Sequence, residues 1–79
     1  MEIKVLYFGM IAEWKGGSEE KRMVDNTMHT QQLLDSIAME IPGIKDINYV
    51  VALNRSMIEE SMALVNGDEV SIFPPFAGG

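Results

Sequence analysis

Leu33-Leu34-Asp35-Ser36-Ile37-Ala38-Met39-Glu40-Ile41-Pro42-Gly43 is the stretch on which the fold turns. Its apolar residues Leu33, Leu34, Ile37, Ala38 and Ile41 lie along one stripe of an α-helix, because they follow each other at alternating steps of one and three. Thr27 or Thr30 is placed to cap the start, and Pro42-Gly43 stops the helix. A helix with one apolar stripe must bury it against a second layer.

The flanking sequence supplies that layer. Upstream, Glu2 to Phe8 alternates as a strand, with Ile3, Val5 and Tyr7 on one face and Leu6 and Phe8 on the other. Apolar residues on both faces predict a central strand. Met10 to Trp14 fits one helical turn, Lys15-Gly16-Gly17-Ser18 a turn, and Glu19 to Val24 a second strand. Downstream, Asn48 to Leu53 is a strand, and Asn54 to Glu60 reads as a polar loop around Met57 and Ile58. Met62, Leu64 and Val65 form a short apolar element. Asn66-Gly67-Asp68 is a turn, since Asn-Gly adopts positive φ at little cost, and Glu69 to Phe73 is the last strand. The order is strand, strand, helix, strand, short element, strand. This predicts an α+β β-grasp (ubiquitin-like) domain over residues 1–73, a mixed sheet packed on one main helix.

Residues 74–79 read differently. Pro74 and Pro75 lack backbone donors, so the sheet ladder stops and the chain leaves stiff and extended. Fully extended, Pro74-Pro75-Phe76-Ala77-Gly78-Gly79 reaches roughly 20 Å. The reading is a flexible Gly-Gly tip carrying a carboxylate. A carboxylate becomes a competent acyl donor once joined to AMP, and a tip without side chains can enter two narrow partner sites in turn. Gly-Gly alone arises by chance in roughly 1 in 200 chains. Its place after a Pro-Pro arm on a small β-grasp domain is what gives it meaning. Phe76 on that arm suits anchoring in a partner groove.

Composition narrows the field. At 79 residues the chain is one small domain with little volume for an enclosed active site beside a core. Twelve acidic against six basic residues give a net charge of −6, which leaves too few cations for a nucleic-acid face. The chain has no cysteine, so disulfides, thiolate metal sites and a persulfide on this chain are excluded, and one histidine, His29, cannot make a His-rich site. No apolar run reaches the roughly 18 residues of a membrane span. Met1-Glu2-Ile3-Lys4 enters a strand pattern without a signal-peptide pattern, so a cytoplasmic location is expected. Gly16-Gly17-Ser18 lacks the spacing and lysine of a phosphate loop, and Glu19-Glu20 and Glu59-Glu60 read as solvated faces.

Ile3-Lys4-Val5-Leu6-Tyr7-Phe8, Val51-Ala52-Leu53-Asn54 and the run from Asn66-Gly67-Asp68-Glu69-Val70 through Phe73-Pro74-Pro75-Phe76-Ala77-Gly78-Gly79 carry a family likeness. The chain resembles the small subunits of molybdopterin synthase, which are ubiquitin-like sulfur carriers. The resemblance implies that an adenylyltransferase related to ubiquitin-activating enzymes, using ATP and magnesium, activates Gly79. A sulfur donor protein then converts it to a thiocarboxylate. The carrier, with no bound cofactor or metal of its own, would donate sulfur to cyclic pyranopterin monophosphate in the large subunit, which would hold the catalytic groups within a heterotetramer of two copies of each chain. The resemblance also implies partner contacts at Phe8, Met57 and Phe73 and along Pro74, Pro75, Phe76 and Ala77, with Gly78 beside the reacting Gly79. Met57 departs mildly from the usual aliphatic residue. Residues 16–32 match poorly, and no role is carried over there. A thiamine-type sulfur carrier, a protein modifier forming isopeptide bonds, and a plain interaction domain are the competing readings.

Overall fold

The computed structural model describes residues 1–75. Five strands form one mixed sheet: β1 (Glu2–Tyr7), β2 (Glu19–Met23), β3 (Val50–Leu53), β4 (Ser56–Ile58) and β5 (Glu69–Phe73), in the spatial order β2-β1-β5-β3-β4. β1 runs antiparallel to β2 and parallel to β5, so it is internal, as its two apolar faces predict. β5 pairs antiparallel with β3, and β3 with β4. Two helices complete the domain, α1 (Gly9–Lys15) and α2 (Thr30–Glu40), followed by a 3₁₀ turn over Pro42–Asp46. This is the β-grasp architecture.

The stripe on α2 does what its spacing requires. Leu33, Leu34, Ile37 and Ala38, with Ile41 just past the helix, are buried against Ile3, Val5, Tyr7, Val51, Val70 and Ile72 of the sheet. Each fully buried Ile or Leu contributes about 1.5–3 kcal/mol, so this interface dominates the stability of so small a domain. Ile11 of α1, Ile44 of the 3₁₀ turn and Leu64 close the core. Trp14 lies half out in solvent, with its ring over Gly43, where a Cβ would sit 3.4 Å from the indole.

Three local readings are corrected. The start of α2 is capped by neither Thr27 nor Thr30. His29 holds the cap position, its backbone N–H donating to Gln32 Oε1 at 2.8 Å. Thr30 is instead a buried helical residue whose hydroxyl accepts the Met62 N–H at 2.9 Å, and Thr27 donates to the Asp25 carboxylate. Secondly, Phe8 is not part of β1 but the residue that caps α1. Thirdly, Asn54 to Glu60 is not all loop. Asn54 and Arg55 have φ of 49° and 70°, as a two-residue type I′ turn demands, and Ser56–Ile58 folds back on β3 as an edge strand.

Asn54 and Asp68, far apart in sequence, meet across this end of the sheet. Asn54 Nδ2 donates to Asp68 Oδ1 at 2.9 Å, and Asp68 Oδ2 accepts the Val65 N–H at 2.8 Å. The Glu69 N–H donates to Asn54 Oδ1 at 2.9 Å, and the Asn54 N–H to the Glu69 carbonyl at 2.7 Å. The pair ties the β3–β4 turn to the entry of β5.

Candidate functional site

The helices cover one face of the sheet, and alternation sends every second residue of each strand to the other. Register then assembles that helix-free face. Leu6 of β1, Ser71 of β5, Ala52 of β3 and Met57 of β4 stand in one row across four strands. The next row, toward the end of β5, holds Phe73 opposite Val50. Phe8 joins it from beyond β1, its ring stacked on Phe73 with centroids 4.4 Å apart and planes 13° from parallel. The small Ala52 and Ser71 are buried low in the sheet, whereas Phe8 is 39% and Met57 57% exposed. The row on the other side is charged: Lys4 lies opposite Glu69 and pairs with Glu19 at 3.3 Å. An apolar patch with a polar border thus sits where β5 gives way to Pro74. The anatomy is that of a protein-docking surface.

Gly9 fixes how the chain leaves this patch. Its φ is +55°, and a Cβ placed there would stand 3.0 Å from Pro74 Cγ. Glycine therefore serves both a left-handed backbone and a close approach. Phe8 donates its N–H to the Ile72 carbonyl at 3.2 Å, so the β1–α1 junction and the end of β5 are held together. Pro74 is half-buried and Pro75 exposed. The sequence reading passed over Gly9. The signal was a lone glycine between a strand and a helix, but its neighbour lies 65 positions away in sequence, as 74 minus 9 shows.

The structure brings Phe8, Met57 and Phe73 onto one face, with Pro74 and Pro75 at its margin. Phe76, Ala77, Gly78 and Gly79 lie outside the described residues. The titratable groups of the face described above are those of its charged border, Lys4, Glu19 and Glu69. The strongest perturbations fall on the helix side, around Tyr7. Burial, and then a short hydrogen bond to the Glu20 carboxylate, raise the Tyr7 phenol above its ordinary value of 10.0. Burial opposes ionisation of Glu20, but the Tyr7 and Arg22 hydrogen bonds outweigh it and hold the carboxyl low. Hydrogen bonds from Arg22 and then Lys15 push Glu40 down to about 2. These groups are bound to one another in a cross-brace linking β2, α1 and α2. Among the described residues no group of three His, Asp or Glu is placed to hold a metal, and no helix is long and apolar enough to cross a membrane.

The described residues thus form a β-grasp domain with one apolar face where β5 gives way to Pro74. A model of the ThiS family matches residues 5–79. The chain belongs to that family. Among its relatives, this ThiS-family chain is 37% identical over 83 residues to the molybdopterin synthase sulfur carrier subunit of Chlamydomonas reinhardtii, covering 100% of both chains. It is similar to a chain of the Helicobacter pylori complex of subunits 1 and 2 of molybdopterin-converting factor, with a TM-score of 0.69 and 28% identity over 100% of each chain. SAMP1 of Haloferax volcanii shares the fold, with a TM-score of 0.82 and 22% identity over 100% of both chains.

Proposed function

We propose that this chain is the sulfur carrier subunit of a molybdopterin synthase, and that it works through residues 74–79 as an extended arm. The observation that carries the reading is end-to-end similarity to a molybdopterin synthase sulfur carrier subunit, at 37% identity with 100% of both chains covered. The likeness to a chain from a two-subunit molybdopterin-converting factor supports a large-subunit partner. The helix-free face supports the same assembly: Phe8, Phe73 and Met57 offer the partner an apolar anchor, and Pro74 over Gly9 directs the arm from its edge.

In this reading the Gly79 carboxylate attacks the α-phosphorus of ATP in an adenylyltransferase partner, which supplies magnesium, and pyrophosphate leaves. A donor protein releases sulfur at the hydrosulfide level, which attacks the acyl-adenylate and displaces AMP, and the terminus becomes a thiocarboxylate. The absence of cysteine leaves that terminus as the one place on the chain where transferable sulfur can be held. Phe76, Ala77 and Gly78 carry the thiocarboxylate into the large subunit, whose groups catalyse transfer to cyclic pyranopterin monophosphate. The chain itself is non-catalytic, and its net charge of −6 favours approach to a basic partner face.

The test is the mass of the C-terminal peptide after incubation with adenylyltransferase, ATP, magnesium and a sulfur donor. Cleavage after Glu69 releases residues 70–79, which contain no methionine, so the sulfur-for-oxygen increment cannot be confused with methionine oxidation. The increment is expected to require ATP and to vanish when Gly78 and Gly79 are deleted, with the thermal midpoint unchanged. No increment from an activating enzyme proven on another carrier would overturn the proposal.

A further inference from the structure

We propose that Met57 is a reversible oxidation site that controls docking: a peroxide converts its thioether to a sulfoxide, and the oxidised carrier no longer seats on its partner. The inference rests on the docking role proposed above for the helix-free face. With no cysteine, the seven methionine thioethers are the only sulfur the folded chain itself offers an oxidant. Methionine oxidation follows exposure. Met57 is 57% exposed, on an edge strand only three residues long. Its cross-strand neighbour is Ala52, a residue with too little side chain to shield it.

Position separates Met57 from Met39 and Met23, the two methionines more exposed than it is. Met39, 82% exposed, lies on α2 in the opposite layer. Met23, 75% exposed, pairs with Glu2 at the start of β1, the end of the sheet away from Pro74. Met57 stands in one row with Leu6, Ser71 and Ala52, on the same face of the sheet as the Phe8–Phe73 stack and two strands from Phe73. Sulfoxide formation at Met23 or Met39 therefore leaves the docking patch apolar, whereas at Met57 it puts a strongly polar oxygen on the patch.

The step balances without further reagents. The Met57 sulfur attacks one peroxide oxygen and gives up two electrons, the O–O bond breaks, and the second oxygen leaves as water. Reversal by a methionine sulfoxide reductase returns the thioether, the oxygen leaving as water at the expense of a dithiol. A sulfoxide oxygen buried against an apolar partner surface loses its water and gains no donor, which opposes association. In the free carrier the same oxygen stays hydrated, so the fold tolerates it.

The experiment measures affinity for the large subunit before and after limited hydrogen peroxide treatment. Cleavage after Arg55 and Glu59 isolates Met57 alone among the methionines, so its oxidation is counted directly. The oxidised wild type is expected to bind about tenfold more weakly or worse, with an unchanged thermal midpoint. Treatment with sulfoxide reductases is expected to restore it. Whatever affinity Met57→Leu starts from, peroxide is expected to change it less than twofold, and pre-formed complex is expected to protect Met57 but not Met39. Unaltered binding after full oxidation of Met57, or an equal loss in Met57→Leu, overturns the proposal. Failure of the reduced wild type to bind at all is a separate result that removes the docking reading itself.

Discussion

At the scale of single residues, the junction beneath the arm rests on two compact devices. Phe8 and Phe73 stack with centroids 4.4 Å apart and planes 13° from parallel, and an offset-stacked pair adds about 0.5–1.5 kcal/mol to the area the rings bury. Gly9 makes room for Pro74 while holding φ at +55°. Alanine at Gly9 would meet both constraints at once: a left-handed backbone costs a residue with a Cβ about 1–2 kcal/mol, and the methyl group would crowd Pro74. Gly9→Ala is therefore expected to lower stability by about 1–2 kcal/mol in urea denaturation, with amide resonance shifts concentrated at Phe8 and Phe73. Wild-type stability in that variant would show that the junction relaxes freely and does not set the direction of the arm. At the other end of β5, Asn54 and Asp68 hold its entry, and their bonds show why a Gly-Asp-Glu turn and a Leu-Asn strand end belong together.

At the scale of elements, what the sequence displayed was whatever a local period can encode. The α2 stripe, the alternation of β1 and β5, and the Asn66-Gly67 turn each carry their signal within a few residues, and all appear in place. Phe8, Met57 and Phe73 were legible as candidates, but their shared face depends on pairing among four strands, which no local pattern states. β4 was not legible. Three residues are too few for an alternation, and its turn is Asn54-Arg55 rather than the Asn-Gly that announces a hairpin. The hidden turn makes its own prediction. Arg55 holds φ at 70°, and its side chain, 88% exposed, meets Glu69 only at 3.6 Å, an ion pair worth little in water. Arg55→Gly should relieve the left-handed conformation and return part of that gain to unfolded-chain entropy, for a net stabilisation of about 0.5–1 kcal/mol in urea denaturation. A loss of stability would mean that the Arg55–Glu69 pair outweighs the backbone term.

At the scale of the whole molecule, the two layers divide the work. The apolar interface between α2 and the sheet supplies stability, which leaves the opposite face free for partners. The cross-brace of Lys15, Glu20, Arg22 and Glu40 adds a charge-dependent part that pH can remove selectively. Glu40 sits 2.6 Å from Arg22 and 2.7 Å from Lys15, and its carboxyl is held at about 2 against an ordinary 4.5. A depressed carboxyl stabilises the fold above its unfolded value, so this contribution is intact at neutral pH and disappears as the pH falls from about 4.5 to about 2. Tyr7 acts at the other end: its raised phenol favours the fold below pH 10.0, and that advantage fades as an unfolded tyrosine ionises above it. Between these limits the net charge of −6 works the other way, since protonating carboxylates from neutral pH downward first relieves self-repulsion. Stability should therefore hold or rise on mild acidification before falling below about pH 4.5. Glu40 is 40% exposed, and solvent screening limits its share to about 1 kcal/mol or less. Glu40→Gln is expected to be less stable than wild type by that amount at pH 7. The gap should close as the pH approaches 2 and shrink in 1 M salt, both read from urea midpoints. A gap that survives acid and salt alike would assign the role of Glu40 to packing of its chain on Arg22 rather than to its charge.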